Sequence, residues 1–190
     1  VSYTLDSSAW RTMNLSNNMF IFLAKQLSPA VLRVGGTQGD YDVYEFGDSG
    51  KYFDCNHPPT PMTSYRCKTI NETKWRSLVQ FSKDTNSKLV FGLNNLYGRP
   101  TKTNPEKEQC NKNNGCPPRN QTNIKDFLLW NAKNMPIDSV YGWELGNELN
   151  TYLNGNIGAM TQANDLRALK TFIKQIYTND SQHSFLPLGE

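Results

Sequence analysis

The run Gly142-Trp143-Glu144-Leu145-Gly146-Asn147-Glu148-Leu149-Asn150 holds the residues of this 190-residue sequence whose types and spacing could do chemistry. A strand that ends in adjacent Asn147 and Glu148 delivers an amide and a carboxyl side by side at its C-terminal end, where barrel enzymes assemble their sites. A carboxyl such as Glu148 can protonate a departing glycosidic oxygen and later activate water, while Asn147 can hydrogen-bond the sugar hydroxyl beside the reacting carbon. An Asn-Glu pair alone is also a common helix cap. The chemical reading therefore leans on the Trp-Glu-Leu-Gly strand before the pair and on other strands that end in polar residues. Glu144, earlier on the same strand, should share the side of Gly142 and Gly146 below the mouth. An acid placed there needs a partner, and Arg33 is the expected one.

The elements that must position these groups follow from apolar periodicity. Strands are expected at 1–6, 30–35, 88–94, 139–146 and 184–188, each followed by Gly, Asn, Asp or Glu. Between them, 3.6-residue spacing predicts helices at 17–26, 73–83, 123–134 and 163–177. The last helix carries Leu166, Leu169, Phe172, Ile173 and Ile176 on one face, read as core packing. Strand and helix alternate, which is the signature of an α/β fold with a parallel sheet. Two long insertions, 37–67 and 97–121, follow the second and third strands, and loops of that length are usually functional or disordered. No repeat or composition break divides the chain, so one domain over 1–190 is expected. Five strands are too few for a closed barrel of about 250 residues. The sequence reads as a fragment of one, or else as an open doubly wound sheet.

Composition excludes several other roles. Hydrophobic residues make up 37% and charged residues 19%, with a formal net charge of +3, enough for a core and too mild for a nucleic-acid footprint. No apolar run is long enough to span a membrane. Lysines gather over 102–112, as a solvated loop or as a rim that attracts anionic sugars. Cys55, Cys67, Cys110 and Cys116 lie in Pro-, Asn- and Gly-rich sequence that matches no zinc pattern, and the histidines, His57 and His183, stand far apart; no metal or cofactor is expected. Neighbour pairing, Cys55 with Cys67 and Cys110 with Cys116, would suit an oxidising compartment. Sequons at Asn14, Asn71, Asn120 and Asn179 agree with a secreted glycoprotein. The chain opens on Val1-Ser2-Tyr3-Thr4-Leu5, without an initiating Met or a leader, as if something upstream had been removed or left out.

The stretches Leu27-Ser28-Pro29-Ala30-Val31-Leu32-Arg33-Val34-Gly35-Gly36-Thr37, Val90-Phe91-Gly92-Leu93-Asn94 and Gly142-Trp143-Glu144-Leu145-Gly146-Asn147-Glu148-Leu149 closely resemble, in order and spacing, glycoside hydrolase family 79, the heparanases and their plant heparanase-like relatives. Val43-Tyr44-Glu45-Phe46-Gly47-Asp48-Ser49, followed by Cys55 and Cys67, resembles the plant-type branch. The resemblance implies a partial (β/α)8 TIM barrel holding the first to about the fifth strand units, and a retaining β-glucuronidase with Glu148 as general acid/base. It also implies that Asp6, Thr37 and Asn147 meet the sugar. Asn94 is a further substrate-binding position by resemblance, with a structural turn role as the alternative. The implied partner is a glucuronic-acid-containing polysaccharide, a proteoglycan or a small glucuronide, outside the cell or in a lysosome or vacuole.

The sequence departs from the family pattern in two places. The family's nucleophile is a second glutamate later in the barrel, and this chain ends before any match to it, so the 190 residues alone should not hydrolyse. Around Tyr65-Arg66-Cys67-Lys68 the chain is less basic than animal heparanase at the corresponding region, which favours a plant-type glycan or a small glucuronide over heparan sulfate. The rival readings are an inactive carbohydrate-binding or decoy half-barrel and a disulfide-held structural module.

Overall fold

A computed structural model describes residues 1–48, 68–97, 120–148 and 157–177, and the architecture that follows is that of these residues. Strands β1 (Ser2–Asp6), β2 (Ala30–Gly35), β5 (Ser87–Leu93) and β6 (Gly142–Leu145) form one sheet in the order β1-β2-β5-β6. Every pairing in it is parallel. Between β2 and β5 lie β3 (Asp42–Tyr44) and β4 (Lys68–Ile70), which pair with each other in a separate two-stranded parallel sheet. Helices α1 (Asn18–Lys25), α2 (Glu72–Asp84), α3 (Thr122–Asn134) and α4 (Ala159–Tyr177) complete the alternation. Consecutive parallel strands joined through helices are the opening units of an α/β barrel, and among the described residues they do not close.

Local chemistry explains the boundaries. Asn17 caps α1 by accepting from the Met19 and Phe20 N–H groups, and Asn71 caps α2 by accepting from Lys74 N–H at 3.0 Å. The break at Pro136 ends α3, and the short 3-10 turn Ile137–Ser139 then takes up Ser139, the residue expected to begin β6, which starts at Gly142. Asn86, with φ +50, turns the chain from α2 into β5.

The register divides the sheet into two faces. Leu32 and Val34 of β2, Leu89 and Phe91 of β5, and Trp143 of β6 are buried in the hydrophobic core. There Trp75 of α2 meets Phe91 edge-on at 4.9 Å and Phe127 of α3 at 4.8 Å, and Phe127 meets Trp143 at 5.7 Å. The opposite face carries Arg33, Gly35, Gly92 and Glu144. In α4 the buried stripe is Asp165, Leu169, Ile173 and Tyr177, with Leu166, Phe172 and Ile176 packed at its margin, so the face expected to be core is core. The expected strand at 184–188, the four cysteines and the sequon Asn179 lie outside the described residues.

Candidate active site

Parallel strands place all their C-terminal ends on one edge of the sheet, so Asp6, the Gly35-Gly36-Thr37 turn, Asn94 and the Asn147-Glu148 pair arrive at that edge together. At the end of β1 the Asp6 carboxylate accepts from Ser8 N–H at 2.7 Å and from the Ser8 hydroxyl. It lies against Gly36, which has φ +116, and a Cβ there would sit 2.7 Å from Asp6 Oδ2. The neighbouring Ser7 hydroxyl donates to Gly36 O at 3.2 Å and accepts from Gly39 N–H at 2.8 Å. These bonds tie the end of β1 to the 3-10 turn Thr37–Tyr41 that begins with Thr37.

At the end of β6, Arg33 Nε donates to both carboxylate oxygens of Glu144, at 3.0 and 2.8 Å, so the expected ion pair is present. Glycine at positions 35 and 92 keeps the packing around the pair open enough that no neighbour need shift. A Cβ at Gly35 would come within 3.3 Å of the guanidinium, and one at Gly92 would lie 3.3 Å from the Gly35 backbone. Arg33 also reaches past the pair, donating through Nη2 to Asn147 Oδ1 at 3.3 Å. In a regular strand Asn147 would share the face of Leu145; Gly146, with φ +78, breaks the alternation and lets the amide approach Arg33. With Oδ1 accepting from a cation, the amide is oriented with Nδ2 as the donor end. Glu148 follows in the left-handed region at φ +46 and is exposed.

Asn94 has a different setting. It is 1% exposed, its N–H donates to the Tyr44 hydroxyl at 2.8 Å, and its Nδ2 donates to Asp42 O at 2.6 Å. Those bonds fix β3 against the end of β5. Thr37 is partly exposed at the head of its turn.

Two acids in the same turn region, Asp40 and Asp42, lie in the stretch 37–67 expected as an insertion and have no role in the sequence reading. Asp40 is 1% exposed, and its Oδ2 accepts from Asn147 N–H at 3.1 Å. Asp42 pairs with Arg11, the two side chains being 2% and 6% exposed. Burial raises the Asp42 carboxyl from the usual 3.8 to about 7 against the opposing pull of Arg11. The available signal was position: both acids stand within a few residues of a Gly-Gly-Thr turn at a strand end. Among the described residues no cluster of His, Cys, Asp or Glu could hold a metal ion, and no helix is long and apolar enough to cross a membrane.

Fold and site together define an α/β protein of parallel strand-helix units with an amide-carboxyl pair at a strand end. The chain belongs to glycosyl hydrolase family 79, whose N-terminal domain matches residues 3–187. Among its relatives, heparanase-like protein 3 of Arabidopsis thaliana is 30% identical over 95% of this chain and 32% of its own length. The baicalin-beta-D-glucuronidase of Scutellaria baicalensis is 26% identical over 90% of this chain and 33% of its own. The chain thus spans about a third of the length of these relatives. A 4-O-alpha-L-rhamnosyl-beta-D-glucuronidase from Fusarium oxysporum, known as a crystal structure, aligns with a TM-score of 0.48 at 15% identity, covering 94% of this chain and 35% of the other.

Proposed function

We propose that this chain is the part of a retaining β-glucuronidase that carries the acid/base, the whole enzyme acting on glucuronic-acid-containing glycans or small glucuronides. The observation that carries the reading is the end of β6 in a family 79 domain: Glu148 in a left-handed turn beside an Asn147 amide oriented by Arg33. In the reaction a carboxylate nucleophile attacks the anomeric carbon as the bond to the leaving oxygen breaks, and Glu148 gives that oxygen its proton. Glu148 then takes a proton from water as the water displaces the carboxylate. The nucleophile belongs to the part of the family's length that these residues do not span. Two carboxyls about 5 to 5.5 Å apart are needed, so turnover requires the complete protein.

Asn147, Asp6 and Thr37 are assigned to the sugar, Asn147 as donor to the 2-hydroxyl. For Asn94, burial and the bond to Asp42 O support the turn role over direct contact. The name of the Scutellaria baicalensis relative, a beta-D-glucuronidase, supports a glucuronide substrate.

The test is Glu148→Gln in the complete protein. kcat/KM reports the first covalent step, which needs the proton only when the leaving group is poor. The variant should lose about 100-fold or more on an alkyl glucuronide or a natural glycan and far less on a dinitrophenyl glucuronide. Unchanged hydrolysis of the natural glycan would remove Glu148 from the mechanism.

A further inference from the structure

The Asn147-Glu148 pair sits where the sheet stops holding the chain. The last β6 bond to β5 is Gly146 N–H to Leu93 O at 2.9 Å. Beyond it lie Gly146 at φ +78 and Glu148 at φ +46, the latter a conformation that side-chain-bearing residues adopt rarely and that persists only when its surroundings impose it. One residue past the ladder, the N–H of Asn147 meets the Asp40 carboxylate.

We propose that Asp40 is a positioning residue that fixes the backbone of the acid/base turn, and so sets where the Glu148 carboxyl stands. This rests on the acid/base reading of Glu148. Asp40 is suited to the task because its own backbone is held. It is fully enclosed in the turn Thr37–Tyr41, and its carbonyl accepts from Leu96 N–H at 3.0 Å and Tyr97 N–H at 3.2 Å. It thereby joins the segments that leave β2, β5 and β6. A buried side-chain oxygen accepting from a backbone N–H replaces the water contact that would otherwise meet an N–H at a strand end and holds that N–H in one direction. Arg33 grips the Asn147 side chain while Asp40 grips its main chain, so the residue before Glu148 is held at two points.

A displacement of about 1 Å in a reacting group costs about 100-fold in rate, and a displaced acid costs most where the leaving group needs its proton. In the complete protein, Asp40→Ser, which cannot reach the Asn147 N–H, should therefore lower kcat/KM for an alkyl glucuronide by about 100-fold while changing that for a dinitrophenyl glucuronide little. Asp40→Asn keeps an acceptor oxygen and should recover most of the loss. If Asp40→Ser does not fold, Asp40→Glu keeps the charge and moves the acceptor by one methylene, and the same leaving-group dependence is expected of it. An equal fall on both substrates, no fall on either, or an Asp40→Asn variant as impaired as Asp40→Ser overturns the proposal. Glu148→Gln run alongside separates the two ideas: if it lacks the leaving-group dependence, the acid/base reading itself is wrong. If it shows that dependence and the Asp40 variants do not, only the positioning role falls.

Discussion

At the scale of single residues the sharpest contest is at Asp42, where removal from water and attraction to Arg11 act in opposite directions. Burial dominates, and the folded carboxyl titrates at about 7 instead of the usual 3.8. Between those pH values the folded state holds a proton that the unfolded state has released. Stability from this group is therefore complete below about pH 4 and is lost as pH rises to about 7. Asp42→Asn cannot titrate. It should gain on the wild-type chain across that window when unfolding free energies are measured in urea at successive pH values. If the variant instead loses ground as pH rises, the attraction of Arg11 outweighs burial. Sequence reasoning reached the Arg33–Glu144 pair because a charge inside an apolar strand demands a partner and Arg33 on the second strand could supply it. It missed Asp40 and Asp42 because acids in a polar loop look solvated until tertiary packing encloses them.

At the scale of elements, the four main strands and four helices were legible because their apolar residues follow a clear pattern, with Asn17, Asn71 and Pro136 marking helix boundaries. The β3–β4 ladder was not, since three-residue strands are too short to show a period. What holds β3 is a side chain from a distant helix. Asn123 of α3 accepts from Tyr44 N–H at 2.9 Å and donates to Tyr44 O at 2.8 Å, so its amide pairs with the strand as a further strand would. Asn123 is 3% exposed, and without it both buried Tyr44 backbone groups would lose that pairing. Asn123→Ala should cost about 2–4 kcal/mol, at about 1–3 kcal/mol per stranded buried group with partial relaxation. Because β3 also anchors Asn94, amide exchange should accelerate at Tyr44 and Asn94 before the main sheet opens. A variant that loses less than about 0.5 kcal/mol, with exchange unchanged at both sites, would show that β3 is held by the Tyr44 ring stack on Phe127 instead.

At the scale of the whole molecule the sheet has two lateral edges among the described residues, β1 and β6, and α1 carries a large exposed apolar surface. Met19, Phe22, Leu23 and Leu27 stand 65%, 59%, 57% and 40% exposed at spacings of three, one and four, along one side of α1 and its C-terminal end. Full burial of such a side chain is worth about 1.5–3 kcal/mol, so covering the exposed fraction of four on each of two copies yields about 8–12 kcal/mol, which an association cost of about 4 kcal/mol or more reduces to a few. That limits self-association through this patch alone to about the millimolar range. The 190-residue chain on its own should therefore show a weight-average mass that climbs gradually between about 10 µM and 1 mM in sedimentation equilibrium, without a discrete dimer plateau. Phe22→Lys combined with Leu23→Glu should flatten the climb. Both residues are more than half exposed, so the double variant should keep its fold. Tight association at low micromolar concentration that survives the double variant would point to pairing along the open strand edges, where backbone N–H and C=O groups recruit another chain irrespective of the α1 side chains.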